Sequence, residues 1–220
     1  MHIIFVLSLL KCFWPVPQST VNYVALGDSY TIGTGAAQNQ SWPVILTKHL
    51  QQQHIQIQLV ANPAHNGWTT KDVIEKELPV LDKSKPNFVT LLIGVNDWVN
   101  GVKTEDFRHN LVYIIDHIQH QLADKSNLLL LTLPDFGVTP AGVNYGNGRD
   151  ISEGIHAFNR IIQEEAAKRG LKTVDLFLAS KKMHDFPDLV AADGLHPSAK
   201  EYMIWEKLIF PVAYNTLKSK

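Results

Sequence analysis

Two short segments near opposite ends of this chain carry side chains that could act together in nucleophilic chemistry. Ser29 follows Gly27 and Asp28, and Asp193 precedes His196 by three residues. A carboxylate this close to an imidazole can accept the Nδ1–H of the ring, which leaves Nε2 free to take a proton from a serine hydroxyl. Taken separately, each segment is also typical of an ordinary helix cap.

Two further segments carry groups that could stabilise a negatively charged oxygen. Gly67 has no side chain and can present its backbone N–H to a ligand. Asn96 can donate a neutral side-chain N–H that does not titrate. Each residue alone is equally typical of a loop or a turn.

The elements that would position these residues alternate between strand and helix. Apolar, β-rich runs predict strands at residues 23–26, 55–60, 88–93, 128–133 and 173–177. Helical periodicity predicts helices at residues 42–53, 70–77, 104–121, 151–169 and 197–217, with Pro197 in the first turn of the last. This alternation predicts a doubly wound α/β sandwich with a parallel sheet and right-handed crossovers.

All four candidate segments come directly after predicted strands. In a doubly wound sheet the ligand crevice lies beyond the carboxyl ends of the strands. Ser29, Gly67, Asn96 and the loop of Asp193 and His196 should therefore meet at one edge of the sheet. This coincidence favours a catalytic site over four unrelated caps and turns.

The same four segments resemble the sequence blocks of the SGNH (GDSL) hydrolase superfamily. The matching residues are Gly-Asp-Ser-Tyr at 27–30, the glycine of Asn-Gly-Trp-Thr at 66–69, Gly-Val-Asn-Asp at 94–97 and Asp-Gly-Leu-His-Pro at 193–197. Together with Leu-Pro-Asp-Phe-Gly-Val-Thr-Pro at 133–140, the first block is similar to bacterial lysophospholipase-like esterases. The resemblance spans residues 23 to about 209. It implies a flavodoxin-like three-layer α/β/α sandwich whose five-stranded parallel sheet has the order 2-1-3-4-5.

The resemblance also implies roles for individual residues. Ser29 would be the nucleophile, His196 the base and Asp193 the acid that orients it. The oxyanion would be held by the backbone N–H groups of Ser29 and Gly67 and by the side chain of Asn96. Further residues expected to line the pocket are Asp28, Asp97, Trp98, Phe136 and Tyr145, with core packing as the alternative for Phe136 and Tyr145 and ordering of the turn for Asp28.

The implied activity is hydrolysis of carboxylic acyl esters, either short-chain esters or lysophospholipids, through an acyl-enzyme. The alternatives are a carbohydrate O-acetylesterase and a non-catalytic carbohydrate-binding relative. A flavin or nucleotide module would need a phosphate-binding loop, and residues 27–33 lack its glycine spacing and lysine. His117 and His120 have a spacing that zinc could use, but a third ligand is missing, so no metal or other cofactor is expected.

The composition favours a single domain that acts on small molecules. The chain has 220 residues, 45% of them hydrophobic, and a net charge of −1 without a basic cluster, so no nucleic-acid partner is expected. Residues 3–14 are apolar but shorter than the ~20 residues of a membrane span. We therefore expect residues 1–20 to form a signal peptide or an apolar arm before a single domain at 21–220. Export to the periplasm or medium follows from the first interpretation, and a cytoplasmic location is the alternative; the oligomeric state is left open.

Overall fold

Five parallel strands form one sheet in the computed structural model, which describes residues 20–218. The strands are β1 Val21–Gly27, β2 Ile57–Ala61, β3 Phe88–Leu92, β4 Leu128–Leu131 and β5 Lys172–Val174. Their order is β2-β1-β3-β4-β5, and every neighbouring pair is parallel. The predicted strand order is thus confirmed. Residues 1–19, and with them the interpretation as a signal peptide or an apolar arm, lie outside the described residues.

Helices cover both faces of this sheet. They are α1 Ser29–Ile32, α2 Trp42–Gln52, α3 Thr70–Asp72, α4 Leu78–Ser84, α5 Val95–Val99, α6 Thr104–Gln121, α7 Ile151–Lys168, α8 Phe177–Ser180 and α9 Ala199–Leu217. On one face α2 packs against α9, and on the other α6 packs against α4 and α7. The three-layer sandwich is therefore confirmed.

The core lies between the sheet and these two layers of helices. Every residue of β3 and β4 is buried, as expected for central strands covered on both faces. The apolar stripe of α6 also points inward, with all of its members buried: Phe107, Leu111, Ile114, Ile115 and Ile118. The central strands and the helices beside them form a rigid base under the carboxyl edge of the sheet.

Several predicted boundaries differ from the structure, and the predicted helix at residues 70–77 continues through a π-helical turn into α4. At two other boundaries a side chain decides where the next helix begins. The last strand ends at Val174, since the Asp175 carboxylate accepts a hydrogen bond of 2.9 Å from the N–H of Phe177 and starts α8 there. Pro197 is not in the first turn of α9. Ser198 is the N-cap, and its hydroxyl accepts a hydrogen bond from an N–H of the first turn.

Candidate active site

Ser29 is the first residue of α1, and a single residue, Asp28, separates it from the end of β1. Gly27 has φ of 155°, and a Cβ at this position would collide with the carbonyl oxygen of Leu92, so only glycine fits the turn. Asp28 caps the short helix, since its Oδ1 accepts the N–H of Tyr30 at 3.0 Å. These constraints hold Ser29 at the carboxyl edge of the sheet.

Asp193 and His196 lie together on the loop before α9. The Nδ1 of His196 is 2.6 Å from Oδ2 of Asp193, while Oδ1 accepts the N–H groups of Leu195 and His196, each at 2.9 Å. Partial burial would raise the pKa of Asp193, but these hydrogen bonds outweigh it and hold the pKa below its ordinary value. The ionised carboxylate favours the tautomer with a proton on Nδ1, which leaves Nε2 as an acceptor.

Ser29 and His196 face the same small cavity, of about 50 Å³. The lining side chains are Ser29, Tyr30, Val95, Asn96, Val99, Phe136, Tyr145, Leu195 and His196. No hydrogen bond within residues 20–218 joins the serine to the imidazole, and such contacts often tighten only when substrate binds. The fold thus brings the serine, the imidazole and the Asn96 amide, which are far apart in the chain, to a single concave site.

Asn96 lies on α5, beside the turn of the serine. Its Nδ2 donates to the carbonyl oxygen of Trp68 at 2.9 Å and to Oδ2 of Asp28 at 3.3 Å. The carboxyl group of Asp28 therefore contacts both the helix that begins with Ser29 and the Asn96 amide. This arrangement fixes the distance between the serine and the amide.

Gly67 lies on the loop after β2, next to the residue that holds Asn96. It has φ of 79°, and a Cβ here would meet no atom within 4 Å. The preceding Asn66 accepts a hydrogen bond of 2.5 Å from the hydroxyl of Thr34, just beyond α1. The loop is thus joined to both the serine turn and Asn96, although Gly67 itself is not part of the cavity lining.

Of the five residues expected to line the pocket, Phe136 and Tyr145 line the cavity. Asp28, Asp97 and Trp98 are buried behind it. Asp97 accepts the backbone N–H of Thr70 at 2.9 Å and also the hydroxyl of that residue, which ties α5 to α3. These three side chains support the wall of the cavity, because packing and hydrogen bonding turn them away from its surface.

Buried carboxyl groups lie behind the serine. Burial raises the pKa of Asp28 to about 7 and also raises the pKa of Asp97, although hydrogen bonds oppose both shifts. Glu77, which is 0% exposed, accepts the N–H of Gly27 at 3.0 Å, and burial raises its pKa well above the ordinary value. Sequence analysis missed Glu77 because a π-helical turn at Val73–Glu77 directs it inward, and no sequence signal marked that turn.

The other candidate sites considered from the sequence have structural roles. Nε2 of His117 donates to a carboxylate oxygen of Asp82 at 2.8 Å, on the side of the molecule formed by α4 and α6. In residues 20–218, no group of three or more histidine, cysteine or acidic side chains could hold a metal ion. None of the helices in this part of the chain has the length and apolar character needed to cross a membrane.

Comparison with known proteins gives consistent matches over most of the chain. The model of the GDSL-like Lipase/Acylhydrolase family matches residues 25–204. Esterase TesA of Pseudomonas aeruginosa is 26% identical over 175 residues, which cover 80% of this chain and 79% of TesA. An arylesterase of Vibrio mimicus is 25% identical over 191 residues, 87% of each chain. A lipase/acylhydrolase structure from Enterococcus faecalis has the same fold, with a TM-score of 0.73 at 24% identity over 91% of this chain and 99% of the other.

Proposed function

Because the chain belongs to the GDSL-like lipase/acylhydrolase family, we propose that it hydrolyses carboxylic acyl esters with Ser29 as the nucleophile. The observation that carries this proposal is the shared cavity of Ser29, Asn96 and His196. The Asp193 carboxylate, 2.6 Å from the imidazole, supports His196 as the base. The names of the relatives, an esterase and an arylesterase, agree with this class of reaction.

The first step is acylation of the serine. The Ser29 oxygen attacks the ester carbonyl carbon while Nε2 of His196 takes the hydroxyl proton. The tetrahedral intermediate then expels the alcohol, which receives that proton from His196. In the second step water attacks the acyl-enzyme with the same base, and the carboxylic acid leaves.

The negative charge of each intermediate falls on the former carbonyl oxygen. Its donors in this proposal are the backbone N–H groups of Ser29 and Gly67 and the amide of Asn96. The bond from Asn96 to Trp68, at 2.9 Å, holds the amide in place. The longer contact with Asp28, at 3.3 Å, is the one that would be exchanged for the oxyanion.

A fluorophosphonate probe together with p-nitrophenyl acetate tests this function. The unmodified enzyme should take up about one label per chain and hydrolyse the ester, because the probe reacts with an activated serine. Ser29→Ala should do neither. The matched control Ser84→Ala, at a serine whose hydroxyl donates to the carbonyl of Val80 in its own helix, should do both. Labelling and hydrolysis that survive in Ser29→Ala would overturn the proposal, and an unmodified protein that does neither would favour a non-catalytic binding protein.

A further inference from the structure

Two walls of the cavity beside Ser29 come from separate parts of the chain. α5 contributes Val95 and Val99, and the segment of residues 136–149 contributes Phe136 and Tyr145. The volume is about 50 Å³, and a cavity needs about 10–15 Å³ to hold one water molecule. The cavity therefore has room for an acyl group only a few atoms long, provided that its two walls stay in place.

Arg149 joins these two walls through its guanidinium group. Nη1 donates to the carbonyl oxygen of Trp98 at 2.8 Å, and Nη2 donates to that of Val99 at 3.0 Å. These are the last two carbonyls of α5, and that of Trp98 also accepts the N–H of Gly101 at 3.0 Å. Nε of the same side chain donates to the carbonyl of Gly146 at 3.2 Å, within the opposite wall.

The indole of Trp98 lies between Arg149 and the aromatic side chains of the cavity wall. Arg149 stacks on the indole at 4.1 Å from the ring centre. On the α7 side, a Cβ at Gly154 would overlap the indole nitrogen, so Trp98 has no space to move in that direction. The ring meets Phe136 edge-on with centroids 6.0 Å apart, and Phe136 meets Tyr145 in the same way at 6.3 Å.

We propose that Arg149 fixes the width of the acyl-binding cavity and so restricts the enzyme to esters of short acyl groups, about two to four carbons long. This inference rests on the proposed function. Arg149 does not line the cavity, and it is a positioning residue that acts through Trp98 and Val99. Tyr145 is 41% exposed, so the outer wall has open space to move into when the arginine is lost.

A series of p-nitrophenyl esters with two, four, eight and twelve acyl carbons tests this inference. The unmodified enzyme should have its highest kcat/KM on acetate or butyrate. Arg149→Met keeps the aliphatic stem but removes the donors to α5. It should raise the ratio of kcat/KM for octanoate over acetate by about tenfold or more, since one methylene in an apolar pocket changes selectivity by about 10–200-fold.

Two further variants make the test independent of how Arg149→Met folds. Val99→Ala removes part of the wall directly and should shift the ratio in the same direction. Arg160→Met is the matched control, because Arg160 lies on α7 and forms a long ion pair with Glu153, at 3.9 Å. It should leave the ratio unchanged.

Different results would overturn the role of Arg149 and the esterase function. An unmodified enzyme that prefers octanoate, or Arg149→Met and Val99→Ala variants that lower kcat/KM equally for all esters, would overturn the role of Arg149. Labelling of Ser29 by the fluorophosphonate would then still support the esterase. If the unmodified enzyme shows neither labelling nor hydrolysis, the esterase function itself is overturned.

Discussion

The titration of Glu201 measures the free-energy cost of burying a carboxyl group in the first turn of α9. The residue lies in the first turn of α9 and is 0% exposed. Its Oε1 accepts the indole N–H of Trp205 at 2.7 Å, whereas Oε2 has no hydrogen-bond partner among the described residues. Burial raises the pKa of Glu201 from 4.5 to about 7, against the opposing effects of Trp205 and Lys182.

This raised pKa makes stability fall as the pH rises. Between pH 4.5 and 7 the folded protein keeps the Glu201 proton while the unfolded chain loses it. The unfolded state then binds fewer protons, so the free energy of unfolding decreases with pH and levels off above about 7. A rise from 4.5 to about 7 corresponds to about 3 kcal/mol at about 1.4 kcal/mol per pKa unit. About 2 kcal/mol of this falls between pH 5 and pH 8, because at pH 5 the unfolded chain has already lost most of the proton at this position.

Glu201→Gln should remove this dependence and keep the hydrogen bond to Trp205. The free energy of unfolding of the variant minus that of the unmodified protein should increase by about 2 kcal/mol from pH 5 to pH 8. Urea unfolding followed by tryptophan fluorescence at both pH values measures the difference. Asp28 and Glu77 titrate in both proteins, so their contributions cancel in the comparison.

Glu75→Gln is the control for this experiment. The Glu75 side chain is 55% exposed and pairs only loosely with Lys71, at 3.7 Å. Its loss should change the free energy of unfolding by less than about 0.5 kcal/mol at either pH. If Glu201→Gln and the unmodified protein differ in free energy of unfolding by the same amount at pH 5 and pH 8, the carboxyl does not titrate as its burial requires. That result would refute the reasoning.

Four substitutions test the site and its support. In p-nitrophenyl acetate hydrolysis, Asn96→Ala should lower kcat by ~10²–10³ and Ser29→Ala by ~10⁶, the second by analogy with subtilisin; equal and mild effects would contradict the assigned roles. Asp193→Asn should lower kcat by about 10⁴, the loss known for the same change in trypsin, because an amide N–H would then face Nδ1; undiminished turnover would exclude this role. Gly154→Ala should reduce the free energy of unfolding by ~1–3 kcal/mol despite the better helix propensity of alanine, because the new methyl overlaps Trp98. A more stable variant in urea unfolding would show that Trp98 is not confined there.

The alternation of strands and helices and most of the candidate site were predictable because both depend on local patterns, whereas the strand order followed only from the resemblance to a known superfamily. A continuous apolar run such as residues 128–131 is buried wherever it stands in a parallel sheet. A residue that closely follows such a run lies at the carboxyl edge, so Ser29 and Asn96 could be placed together without any structure. The loop of His196 was also expected there, but α8 and two 3-10 turns separate it from β5, so packing rather than a strand end places it. Boundaries were less accurate, as at the end of β5 and the start of α9, because the side chains of Asp175 and Ser198 decided them.

What the sequence alone determined is therefore the alternation of strands and helices and the set of chemically competent side chains at the strand ends. Only the tertiary structure decided which residues support them and how large the cavity is. Glu77 is 50 positions from the Gly27 N–H that it holds, and Arg149 is 51 from Trp98. Local periodicity follows from the backbone and from burial, and it appears in a few consecutive residues. Contacts across such separations depend on how whole elements pack, and no short stretch of the sequence carries that information.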